Sequence, residues 1–263
     1  MGTGRRRYIG WIGFAILAVV GGAALLSVGP FDGDDTGPSR PPATPLEKKA
    51  ERVEQQSNKS PRDEELLLLT ARRWIEAGND RLNKIEFRQN PIPSVVPDDL
   101  KRGLEAWRKY LAATGGESPA HMAELAGYTY FQLVEIGSTD PAEAEANAAG
   151  AARALRIAAK KKHTLSTLSL LAINEYFNGG LAAGDRAART AAATVKGGRD
   201  AIESRDVLEQ LNEYKERGEK FVARVKKGFE TLEESGEEEL ETPIKGYGAP
   251  AGINGYEPGT GPS

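Results

Sequence analysis

Apolar positions in this chain recur every three or four residues, and nowhere do they alternate strictly with polar ones. That rhythm predicts helices and no strands. Ser60-Pro61-Arg62-Asp63-Glu64 opens the first helix, with Ser60 as cap, Pro61 at the first position and acids against the N-terminal dipole. It ends before the prolines of "RQNPIPSVVP". A second helix starts at Asp98 or Asp99, carries Leu100, Leu104, Trp107 and Leu111, and stops at Gly115-Gly116. Ser118-Pro119 starts a third that runs to about Ile136, and Asp140-Pro141 starts an alanine-rich fourth. A fifth spans Thr164 to Phe177 and a sixth Leu181 to Val195, each closed by a glycine pair. The last runs from Asp200 to about Glu234. Its apolar row is Val207 or Leu208, Leu211, Tyr214, Phe221 or Val222, Val225, Phe229 and Leu232, with Gly218 interrupting. The fold class expected is all-α, with about seven helices in the domain.

One stretch breaks the amphipathic rhythm. Tyr8 to Val28 carries no charge, and as a helix it reaches about 30 Å, the thickness of a bilayer's hydrocarbon core. A cleavable signal has a shorter apolar run, roughly 7–15 residues, and a small-x-small site. Here the run ends in Leu25-Leu26-Ser27-Val28-Gly29-Pro30, so a retained anchor is expected, with cleavage after Ala23-Ala24 as the alternative. Arg5, Arg6 and Arg7 precede it; Asp32, Asp34 and Asp35 follow. That bias keeps the N-terminus cytoplasmic and places the rest outside. The domains expected are residues 1–7 in the cytoplasm, 8–28 across the membrane and 29–60 as a largely disordered linker. A helical domain over 61–236 and a disordered tail over 237–263 follow. Within the linker, Leu46 to Asn58 has the makings of a short helix with little to pack.

A net charge of −3 gives no reason to expect nucleic acid, and the absence of cysteine removes disulfides, thiol nucleophiles and thiolate metal sites together. His121 and His163 stand alone as imidazoles, neither with a second histidine one turn away, so no metal is expected. No phosphate loop, dinucleotide fingerprint or nucleophile elbow occurs. The expectation is neither an enzyme nor a cofactor binder.

"LAGYTYFQ" from Leu125 returns as "LAINEYFN" from Leu171, an offset of 46 with Leu, Ala, Tyr and Phe coinciding. Ala123, Ala126, Gly127 and Tyr130, then Ala172 and Tyr176, and Gly103 with Trp107 in the preceding hairpin, sit in a recognisable frame. So do Ala144, Ala148 and Ala151. On these residues the stretch 63–196 resembles tetratricopeptide repeat proteins. Ile173 and Tyr110 depart from the frame where small residues belong, and the Ala144, Ala148 and Ala151 set has the spacing but lacks the aromatic. The resemblance implies stacked helical hairpins with the last helix as a cap, preceded here by the single N-terminal span.

It also implies that the first helix of each hairpin lines a groove. The positions are His121, Glu124, Tyr128, Phe131 and Gln132, then Thr167, Leu170, Asn174, Phe177 and Asn178. Tyr128, Gln132, Asn174, Asn178 and His121 are the partner-binding candidates, a carboxamide-rich strip suited to an extended peptide. Arg153, Arg156 and Lys160 share one helix face and offer a site for an anionic partner. The function expected is a membrane-tethered extracytoplasmic scaffold for a protein or peptide, of the kind that assists envelope assembly, secretion or folding. The alternatives are a structural oligomeriser pairing through the last helix and a cell-wall enzyme, for which no motif speaks. No feature fixes the oligomeric state.

Overall fold

The structure, a computed structural model, describes residues 42–84, 94–138, 140–195 and 200–235. Among them there are eight helices and no strands, so the chain is all-α: α1 (Pro45–Lys59), α2 (Glu64–Lys84), α3 (Val95–Ala113), α4 (Ala120–Ile136), α5 (Pro141–Lys161), α6 (Leu165–Phe177), α7 (Leu181–Ala193) and α8 (Asp200–Ser235). No helix among the described residues is long and apolar enough to cross a membrane. The uncharged run Tyr8–Val28 and the tail beyond Ser235 lie outside the described residues.

Caps fall where short polar side chains precede apolar rhythm. Asp140 accepts from the Ala142 amide with Pro141 at the first position, and Thr164 accepts from the Thr167 amide. Two starts differ from expectation. α2 begins at Glu64, because Asp63 rather than Ser60 accepts from the Leu66 amide, and Ser60 instead closes α1. α3 begins at Val95, with Pro97 tolerated in its first turn, where an amide has no intrahelical acceptor.

Residues 45–59, placed in the linker from their polarity, form α1. Thr44 and Glu47 make a capping box: the Thr44 side chain accepts from the Glu47 amide, and the Glu47 carboxylate accepts from the Thr44 amide. Glu47 is buried and pairs with Arg81, which also reaches Asp99 at 3.7 Å. Burial alone would raise the Glu47 carboxyl, but the Arg81, Thr44 and Asp99 contacts bring it down to about 2. Ala50 packs on Trp74 and Ala77. This helix is held by one ion pair and small apolar contacts, which a search for large aliphatics overlooks.

The remaining helices pair as successive hairpins, and glycines set how closely they approach. In α2–α3, a methyl on Gly78 would meet Leu100 and one on Gly103 would meet Ile75, both at 2.6 Å, so the contacts run antiparallel. In α4–α5, Gly127 lies under Leu155 and Gly150 under the Tyr130 ring; in α6–α7, Gly184 lies under the Tyr176 ring. Tyr130 and Tyr176, the repeated tyrosines, thus do the same job in successive hairpins. Each covers a glycine of the helix that follows.

Aromatic side chains join hairpin to hairpin. Trp107 of α3 meets Tyr130 of α4 edge-on at 6.4 Å. Phe131 of α4 meets Phe177 of α6 edge-on at 5.2 Å, and Phe177 meets Phe221 of α8 at 5.4 Å. α8 packs on α6, α7 and α5. Gly218 rests on the Tyr176 backbone, and Val207, Leu211, Tyr214, Phe221 and Val225 are buried while Glu209, Glu213 and Glu216 face solvent. The apolar row of α8 is therefore used inside the chain.

Candidate partner-binding face

Tyr128, Gln132 and Glu135 recur at four and three residues along α4, which places them on one face of that helix. α6 lies beside α4 in the same direction. The Glu124 carboxylate of α4 accepts from the Thr167 hydroxyl of α6 at 2.7 Å, while Phe131 touches Phe177 further along both helices. Asn174 of α6 therefore stands one repeat on from Tyr128.

The structure gives the predicted residues different surroundings. Asn174 has none of its surface exposed, and its amide nitrogen donates to the Leu170 carbonyl at 2.8 Å. Gln132 is buried, with its amide nitrogen donating to Asn79 Oδ1 of α2 at 2.9 Å. Tyr128 is half-buried. Asn178 is half-buried at the end of α6, and His121 is exposed in the first turn of α4. Three oxygens of this set, Tyr128 Oη, Gln132 Oε1 and Asn174 Oδ1, are buried without a hydrogen-bond partner. Of the other groove positions, Phe131 and Phe177 are buried in the aromatic column, and Glu124 is held by Thr167 and Lys162.

Sequence reasoning missed Glu135. It is 4 % exposed and accepts from the Arg217 guanidinium of α8 at 3.3 Å, a bond spanning 82 residues. Burial raises its carboxyl, Arg217 pulls it part of the way back, and the outcome is pushed up to about 8. Burial also raises the Tyr128 hydroxyl, and Glu135 pushes it the same way. Arg217 lies over the Tyr214 ring at 4.9 Å. The signal that could have found Glu135 is its spacing from Tyr128 and Gln132. Its hydrogen-bond partner, Arg217, lies far along the chain on α8.

The proposed anionic-partner face is partly occupied. Arg156 grips Glu175 of α6 with two hydrogen bonds of 2.5 and 2.6 Å, while Arg153 and Lys160 remain exposed. A cleft of about 430 Å³ opens where α7 and α8 meet, lined by Tyr176, Asp185, Arg189, Arg205, Leu208 and Asn212. It contains none of the predicted residues. Of its two acids, Asp185 and Glu209, the first is engaged by Lys215 and the Tyr176 hydroxyl, each at 3.0 Å. Among the described residues no group of three His, Asp or Glu side chains is arranged to hold a metal. Comparison with protein-family models, curated proteins and solved structures finds no match to this chain.

Proposed function

We propose that the protein is a membrane-tethered scaffold whose helical domain works outside the cytoplasm. It binds a protein or peptide along the first helices of its hairpins, in the manner of tetratricopeptide-like stacks. The observation that carries this reading is the pair of unpartnered oxygens on Tyr128 and Gln132, one turn apart on α4 where Tyr128 is only half-buried; the Asn174 oxygen is enclosed and out of a partner's reach. Each such atom costs roughly 1–3 kcal/mol, so hydrogen-bond donors of a bound chain would relieve a penalty already present in the free protein. Successive hairpins, with α4, α6 and α8 joined by one aromatic column, support the stacked arrangement. The run Tyr8–Val28 supports the tether and the flanking charges its orientation.

Site-specific photocrosslinking tests the binding face in intact membranes. Crosslinkers at His121 and Asn178, the accessible members of the strip, should yield one discrete adduct. Tyr128→Phe, which removes only the hydroxyl, should lower its yield. Equal adducts from a crosslinker at Glu209, on the outward face of α8, would refute the assignment. A reporter active only outside the cytoplasm, fused after Ser263, should be active; silence there refutes the topology.

A further inference from the structure

We infer that the outer face of α1 is a docking surface for anionic phospholipid headgroups, which lays the helical domain against the membrane that tethers it. The inference rests on the tether proposed above. α1 carries four basic side chains, Lys48, Lys49, Arg52 and Lys59, and three acids, Glu47, Glu51 and Glu54. The fold sorts them by sign. All four basic residues are exposed, as is Arg62 just beyond the helix. Glu47 is buried under Arg81, and Glu51 and Glu54 are half-buried. No acidic side chain of α1 is exposed; Gln55, Gln56 and Asn58 complete its outer surface. Lys48, Arg52 and Lys59 fall at i, i+4 and i+11, on one line along the helix. Among the described residues the first exposed acids, Asp63, Glu64 and Glu65, come after α1, around the start of α2.

Charge and chain length name the occupant. A basic surface on a chain of net charge −3 fits a dense array of negative groups. Near an anionic leaflet, each Lys or Arg favours association roughly fivefold. Sixteen residues separate Val28 from Pro45. Even fully extended, a chain of that length spans at most about 55 Å. α1, the first described helix after the apolar run, would therefore meet the lipid surface at an effective concentration in the millimolar range, where a few weak contacts suffice.

The full chain is reconstituted in discs of neutral phosphatidylcholine and in discs enriched in phosphatidylglycerol. Brief lysine acylation, read by mass spectrometry, should label Lys48, Lys49 and Lys59 several-fold more slowly in the anionic discs. Lys220 and Lys226 of α8, exposed as well, should react equally in both. High salt should abolish the protection. So should the triple change Lys48→Gln, Arg52→Gln, Lys59→Gln, read at Lys49 with helicity unchanged. Equal labelling in both discs overturns the inference. Protection in neutral discs or in detergent also overturns it, and points to the chain's own Asp32, Asp34 and Asp35. Protection that appears only with an added acidic protein overturns it in favour of that partner. The tether is scored separately: failure to float with neutral vesicles at high salt refutes the anchor. Salt-sensitive flotation with anionic vesicles alone would in that case still support docking through α1.

Discussion

Replacing Glu135 with Gln should remove a pH dependence of stability that runs opposite to ordinary acid unfolding. The carboxyl has an ordinary value of 4.5 and is pushed up to about 8 in the fold. Between those values the folded chain holds a proton that the unfolded chain has released. Stability therefore falls as pH rises through the window, by about 1.4 kcal/mol per pH unit for one group. Over two units inside the window the loss is about 3 kcal/mol, a large fraction of a typical domain's stability. Above the folded value both states are ionised and the slope vanishes. Urea unfolding followed by circular dichroism, on the full chain in detergent at a series of pH values, reads the slope directly. The parent should lose stability from pH 5 to 8 while Glu135→Gln stays nearly flat. The carboxylates whose folded values are lowered, Glu47, Glu105, Glu117 and Asp185, titrate below this window and do not mask the difference. Arg217→Met removes the guanidinium that pulls Glu135 back, so its window should extend to higher pH. Parallel profiles for parent and Glu135→Gln would refute the claim that this carboxyl is folded in protonated form.

Phe177→Ala should cost about 3–5 kcal/mol by urea titration, because the ring is 1 % exposed and sits between Phe131 and Phe221; a cost under about 1 kcal/mol would show that the column is not a core element. Gly218→Ala should destabilise by about 1–3 kcal/mol although Ala is the better helix former, since its methyl would lie 2.7 Å from the Tyr176 carbonyl carbon. An unchanged or raised melting temperature would rule that contact out. Glu47, brought down to about 2 in the fold, contributes stability present above about 4.5 and lost as pH falls towards 2. Protection factors of the α1 amides, corrected for intrinsic exchange, should fall across that range, and in Glu47→Gln they should be low throughout; a parent α1 equally protected at both ends contradicts the buried pair.

Much of the fold was legible because its punctuation is local. Asp140-Pro141, Thr164, Gly115-Gly116 and Gly179-Gly180 mark helix ends through bonds made within about one turn, and the row of α8 repeats on its own axis. The candidate strip was legible only in part. A helical period says which side chains share a face, and Tyr128, Gln132 and Glu135 do. It does not say how closely the next helix covers that face, and so Asn174 is enclosed while Asn178, four residues on, is half-buried. Glu135 and Glu47 are buried by partners 82 and 34 residues away, which no local pattern announces. The helix over Leu46 to Asn58 was anticipated, but its packing was hidden for the same reason: its best contacts belong to α2.

The aromatic column also bears on how the domain comes apart. Linear arrays of hairpins touch only their neighbours and can fray from an end, one unit at a time. Here Phe221 cannot leave without uncovering Phe177, and Phe177 cannot leave without uncovering Phe131. Arg217 adds a strut from α8 that bypasses α6 and reaches α4 directly. Loosening the last helix therefore opens the interior of the two hairpins before it. The described hairpins from α4 onward should melt as a single cooperative unit, and a protease that nicks α8 should find the middle of the domain already softened.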